Sequence, residues 1–275
     1  MAFNLAHCQR LAAEYEKLSA DAKSLMDMLS LFYSPVSYNM LLEGFENCKV
    51  LKSSGNNFTR ADLNLLAKEL QKKNLVVQVS GRGMGCHQDV AEVITRKIVQ
   101  RGEFERFADG IMKALHETEL RWQFGFASGD VLTRRMRFAF YLGKTELFWS
   151  LARQHWDYYY DYKVASSPIT RIAGCPFDTT FMMTIPATLA DGILSMLFDC
   201  HIYGMENIPG LCEYFEQVCQ QPLGEKQAKG CQKYWYYYLM LMLMRGKVQE
   251  AQSLATHVPA TLERKFILGI SALLL

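Results

Sequence analysis

The chain has 275 residues, 50% of them apolar and 21% charged, the balance of a protein that buries a core rather than of a disordered, collagen-like or membrane-embedded chain. Thirty Lys and Arg against 28 Asp and Glu leave a net charge of +2, so the total charge selects no class of partner. Seven prolines and 18 glycines leave little for long linkers and fit one large domain or two small ones.

The opening MAFNLAHCQRLAAEYEKLSADAK has no basic segment feeding an apolar one, so it does not read as a secretory signal. The longest apolar runs, Trp235 to Met244 and Phe266 to Leu275, have ten residues each, about half of a bilayer span. None of the eight cysteines forms a C-x-x-C pair. The expectation is a cytoplasmic protein without a membrane segment, its thiols reduced and packed as small hydrophobes.

In chain order, residues 1–20 read as an amphipathic helix, with Leu5, Cys8, Leu11, Ala12, Tyr15 and Leu18 three or four apart. A second helix runs from Asp21 to about Phe32 and stops at Ser34-Pro35, because proline disfavours helix at the residue before it. A short extended piece, Ser34 to Val36, leads to a helix near Ser37 to Asn47 and then to the polar turn KSSGNN.

The next helix carries the best local signal. Thr59 and Asp62 have the spacing of a capping box, and Phe58 and Leu63 that of a hydrophobic staple. Leu63, Leu66, Ala67 and Leu70 form its apolar stripe, and Arg60, Asn64, Lys68, Gln71 and Lys72 its polar face; Asn74 ends it. The β-branched run Leu75 to Val79 predicts a strand, SGRGMG at 80–85 a hairpin tip, and Cys86 to Gln88 a short return strand. Asp89 then opens a helix to about Arg101 through Val90, Val93, Ile94 and Ile98.

That order, with its capping signals, resembles a winged helix over residues 21–101. The resemblance implies a variant helix-turn-helix whose recognition helix, here Thr59 to Lys73, enters the major groove, with a wing at Gly81 to Gly85. From Phe104 onward the strand pattern is lost and helices follow one another across short breaks. Gly143-Lys144-Thr145-Glu146-Leu147-Phe148 aligns with Gly246-Lys247-Val248-Gln249-Glu250-Ala251. The second copy, with Trp235, Gly246 and Ala251 in place, resembles a tetratricopeptide hairpin; the first has Phe148 where the small residue belongs. The predicted fold class is mainly α: a 1–20 packing helix, a winged helix at 21–101, and a degenerate tetratricopeptide-like, solenoid-like array at 104–275.

Charge patterning points to one surface. Between residues 49 and 101, ten Lys and Arg face four Asp and Glu, a local balance of +6 that leaves about −4 for the remainder. Basic side chains on a recognition helix and wing suit phosphate contacts, and Asn64 and Gln71 add groups that read base edges. The expected contacts to double-stranded DNA are Arg60, Asn64, Lys68 and Lys72 on the helix and Arg82 in the wing. The whole resembles the regulatory arrangement of multidomain bacterial DNA-associated proteins, including the non-catalytic N-terminal region of some SNF2-type helicase-like ATPases. The alternative is a protein-interaction adaptor whose winged helix never meets nucleic acid.

Other chemistry reads as absent. Gly81-Arg82-Gly83-Met84-Gly85 has neither the Walker nor the dinucleotide spacing, and Cys86-His87 and Cys200-His201 have no second Cys/His pair at zinc spacing. No catalytic residue, metal or cofactor is expected. Two aromatic runs, 156–162 and 234–238, place rings on every face of a helix, which makes Trp156, Tyr160 and Trp235 expected contacts to a protein partner. The final apolar helix, Phe266 to Leu275, lacks the polar cap of a solenoid end, so the expectation is that it meets a further C-terminal domain or a partner.

Overall fold

The computed structural model describes residues 4–115, 129–158, 168–203, 208–220, 225–257 and 262–275. Among them the protein is mainly helical, with fifteen helices and one small antiparallel sheet. No described helix is long and apolar enough to cross a membrane. The chain forms two compact units, one of residues 1–176 and 180–206, the other of residues 177–179 and 207–275.

The first unit opens with α1 (Leu5–Glu16), α2 (Ala20–Phe32), α3 (Tyr38–Asn47) and α4 (Arg60–Lys72). Each start carries a side-chain cap, from Asn4, Ser19, Ser37 and Thr59 in turn, which satisfies a backbone N–H that the first helical turn leaves without a partner. Strands β1 (Val76–Val79) and β2 (Gly83–Cys86) pair antiparallel, Val76 opposite Cys86 and Val79 opposite Gly83. Val36 adds an antiparallel bridge to Met84, with backbone hydrogen bonds of 2.8 and 3.0 Å in both directions.

The return strand thus lies three residues earlier than Cys86 to Gln88, and the reason is steric. Gly83 has φ +100°, and a Cβ there would stand 2.1 Å from the Val36 carbonyl oxygen; at Gly85 it would meet Pro35 at 3.4 Å. These glycines let β2 lie against the segment before α3, so they belong to the sheet and leave the tip to Ser80, Gly81 and Arg82. Helix α5 (Gln88–Gln100) follows at once, capped by His87.

Five helices complete this unit: α6 (Phe104–Ala114), α7 (Gly129–Tyr141), α8 (Thr145–Tyr158), α9 (Pro168–Gly174) and α11 (Ala187–Tyr203), with the short turn α10 (Thr179–Met182) between the last two. Helix α2 is the hub, buried along most of its length and packed against α3, α4, α5, α6 and β2. Helix α1 lies on α5, α6 on α3, α7 on α8, and α9 on α11.

A polar network ties α2 to its neighbours. Tyr33 ends α2 in the left-handed region (φ 64°), and Pro35 cannot donate an N–H, so carbonyls of the last turn need other partners. Arg134 donates to the Phe32 carbonyl (2.8 Å) and Arg137 to the Ser30 carbonyl (2.9 Å). Arg137 also pairs with Glu92 (2.8 Å), donates to Thr95 Oγ1 (2.7 Å) and lies over the Tyr33 ring, while Tyr141 donates to Glu92 (2.7 Å). Arg137 and Glu92 are almost fully buried.

The second unit holds α12 (Leu211–Gln220), α13 (Glu225–Met244), α14 (Val248–His257) and α15 (Leu262–Leu274), packed in sequence, with α13 also touching α15. Phe215 gathers Tyr234 and Tyr237 at centroid distances of 5.7 and 5.4 Å. The aligned glycines occupy equivalent turns. Gly143 follows α7 at φ 65° and Gly246 follows α13 at φ 74°. In each, the next lysine N–H reaches back five residues, Lys144 to Ala139 (2.8 Å) and Lys247 to Met242 (3.0 Å), the helix-ending pattern that glycine favours. Phe148 and Ala251 are fully buried at matching positions.

Candidate nucleic-acid interface

Helix α4 begins where the sequence places it. Both arms of the capping box are present: Asp62 N–H donates to Thr59 Oγ1 (3.3 Å) and Thr59 N–H to Asp62 Oδ2 (2.8 Å). Hydrogen bonds from Thr59, then the ammonium of Lys52 at 3.0 Å, hold the Asp62 carboxyl down at about 2. Phe58 is buried and stacks on Phe45 at 4.2 Å. Leu63, Ala67 and Leu70 are buried and Leu66 half-buried.

The opposite face is open. Arg60, Asn64, Lys68 and Lys72 are all exposed, as is Arg82 at the hairpin tip. At ~100° per residue, Leu65 and Lys72 lie near the centre of this face, with Lys68 to one side and Arg60 at its edge, where its guanidinium sits 5.6 Å from the Tyr38 ring centroid. Leu65 is 72% exposed. It fell outside the sequence reading because neither the apolar stripe nor the charge count selects it; its offset from the stripe is the signal that finds it. Gln71 is not available to a base, since its amide donates to Gln78 Oε1 (2.7 Å) and ties α4 to β1.

The local balance of +6 sorts into two sets. Lys52 pairs with Asp62, Lys73 with Glu69, Lys97 with Glu16, and Arg101 with Asp27 and Glu103. Arg96 is buried and donates to the Pro176 and Ile172 carbonyls. Lys49, Arg60, Lys68, Lys72 and Arg82 remain, exposed and with no carboxylate partner among the described residues. Of the acids of the window, Asp62, Glu69 and Glu92 pair with Lys52, Lys73 and Arg137, and Asp89 hydrogen-bonds His7. What stays open is therefore a set of cations without an ion-pair partner, with Glu69 beside them held by Lys73.

Of the expected partner contacts, Trp235 is half-buried in α13, its ring 6.4 Å from Tyr238. Trp156 lies in α8 with its side chain outside the described set, and Tyr160 lies outside the described residues. The seven cysteines described are free, and burial pushes the Cys8 and Cys48 thiols up to about 11, so both stay protonated at neutral pH. No protein-family model, curated protein or solved structure matches this chain.

Proposed function

We propose that residues 21–101 form a winged helix that binds double-stranded DNA through α4 and the hairpin tip, as the recognition part of a non-catalytic DNA-binding and protein-interaction region. The observation that carries this reading is the set of five exposed cations, three of them on α4, with Asp62 and Glu69, the acids of that helix, each paired. The element order supports it: helix, bridge strand at Val36, two helices, then a hairpin. With α4 in a major groove, Asn64 faces base edges, Leu65 offers an apolar contact to a thymine methyl, and the lysines and Arg82 flank phosphates.

Duplex binding measured across a salt series tests it. The four cations of α4 and the tip, each at a phosphate, give a slope of log K against log salt of about −3 to −4. Arg60→Glu with Lys68→Glu abolishes the binding, and absence of binding by the folded protein at low salt overturns the proposal.

A second reading is an adaptor whose α4 face meets a protein, and the exposed Leu65 and Val77 favour it. Leu65→Gln separates the two: it leaves most of the DNA affinity intact but removes an apolar anchor from a protein interface. For residues 104–275 the reading is a degenerate tetratricopeptide-like array for a protein partner, supported by the matching glycine turns at Gly143 and Gly246.

A further inference from the structure

Three metal-ligating side chains meet where α1 and α5 begin. His7 lies in the first turn of α1, His87 caps α5 and Asp89 lies in its first turn. His7 Nδ1 is 2.8 Å from Asp89 Oδ2. The two imidazoles stand edge to face with centroids 4.9 Å apart. One donor atom from each residue lies within 4.8 Å of the other two. The His7 and Asp89 side chains are 25% and 13% exposed, so the cluster is sheltered yet reachable.

Local structure accounts for only part of this cluster. Asp89 N–H donates to His87 Nδ1 (3.3 Å), which caps α5, and His7 Nδ1 engages one oxygen of Asp89. Among the described residues these bonds leave His7 Nε2, His87 Nε2 and Asp89 Oδ1 without a protein partner. Three ligating groups from two elements 80 positions apart in sequence, each with an unused donor, exceed what two helix starts require.

We propose that His7, His87 and Asp89 bind a divalent transition-metal ion of the zinc class, independently of any nucleic-acid role. Two imidazoles and one carboxylate suit such an ion, whereas Ca²⁺ and Mg²⁺ need more oxygen donors. Tetrahedral ligand bonds of about 2.1 Å put donors about 3.4 Å apart. Three protein ligands leave at least one position to water. The ion cross-links α1 to the start of α5, and its binding stabilises the folded state by mass action. No zinc spacing surrounds Cys86-His87 in the sequence, because the partners of His87 are a lone histidine 80 residues earlier and an aspartate two positions on.

The test uses the full chain, freed of metal by chelation and kept reduced, titrated with Co²⁺ as a spectroscopic probe and with Zn²⁺ in thermal unfolding. Expected are saturable d–d absorption at one Co²⁺ per chain, no thiolate charge-transfer band, and a Tm raised by a few degrees with Zn²⁺. His7→Gln keeps a hydrogen-bond donor toward Asp89, so its metal-free Tm stays near that of the unaltered protein while its Co²⁺ affinity falls at least tenfold. Asp89→Asn lowers the affinity likewise. A chain without the d–d spectrum overturns the site. So does a spectrum dominated by thiolate bands, which places the metal on cysteines, or one that survives His7→Gln, which places it on other ligands.

Discussion

Helices α4 and α5 draw on the same kinds of residue and use them in opposite ways. On α4, Arg60, Lys68 and Lys72 stand in solvent without a carboxylate partner, whereas on and just after α5, Arg96 is committed to buried carbonyls and Lys97 and Arg101 to carboxylates of neighbouring elements. The basic window of the sequence is thus one open face and one set of fasteners between elements. Counting charges along a chain measures their sum, and only the pairing shows which of them a phosphate can meet.

The largest effect that would sharpen this contrast lies on the fastener side. Arg137→Ala strips Glu92 of α5 of its buried counter-ion, and leaving such a charge uncompensated costs about 3–5 kcal/mol; denaturant unfolding reads this as a midpoint shift. A change near that of an exposed ion pair would show that water already reaches Glu92. Next comes Gly83→Ala, where the new methyl meets the Val36 carbonyl oxygen and φ is already positive. About 2–4 kcal/mol is expected, again from unfolding midpoints, and a neutral result would mean that the bridge to Val36 opens freely.

Smaller effects come from the open side. Thr59→Ala removes the cap of α4 and costs about 1 kcal/mol. The capping box is also pH-sensitive. The Asp62 carboxyl titrates lower in the folded chain, near 2 against 3.8 for the ordinary group, so its contribution is present above pH 3.8 and is lost as pH falls toward 2. Unfolding of Asp62→Asn against the parent across that range should converge at the acid end. Smallest in stability and most telling for function is the pair Lys68→Met and Lys97→Met. Each changes stability by about 0.5 kcal/mol or less. Lys68→Met lowers the salt slope of duplex binding by about one, while Lys97→Met leaves it unchanged. Equal slopes for the two would erase the distinction between the faces.

Local chemistry was legible and long-range chemistry was not. The α4 start at Thr59, its end at Asn74 and the equivalence of Gly143 with Gly246 were readable because each depends on residues within one or two turns. The roles of Gly83 and Gly85 were not, since the atoms that exclude a side chain there belong to Pro35 and Val36, nearly 50 positions away. Arg134 and Arg137 gave no signal at all. Their partners are backbone carbonyls of Phe32 and Ser30, which are chemically identical at every residue. On α4 the outward face was legible by periodicity, but which cations stay unpaired depended on contacts with Glu16, Asp27 and Glu103 from other elements.

The close approach of Gly83 to Val36 also says where this protein tolerates change. Because main chain lies on main chain there, with no layer of side chains to readjust, the base of the hairpin admits neither a slip in register nor an added residue. The three residues beyond it meet no such main-chain neighbour: a Cβ added at Gly81 meets nothing within 4 Å, and only its φ of +74° favours glycine there. Added length therefore meets less resistance at the tip than at the root. Insertions between Ser80 and Arg82 would alter how far Arg82 reaches while the platform beneath it stays the same.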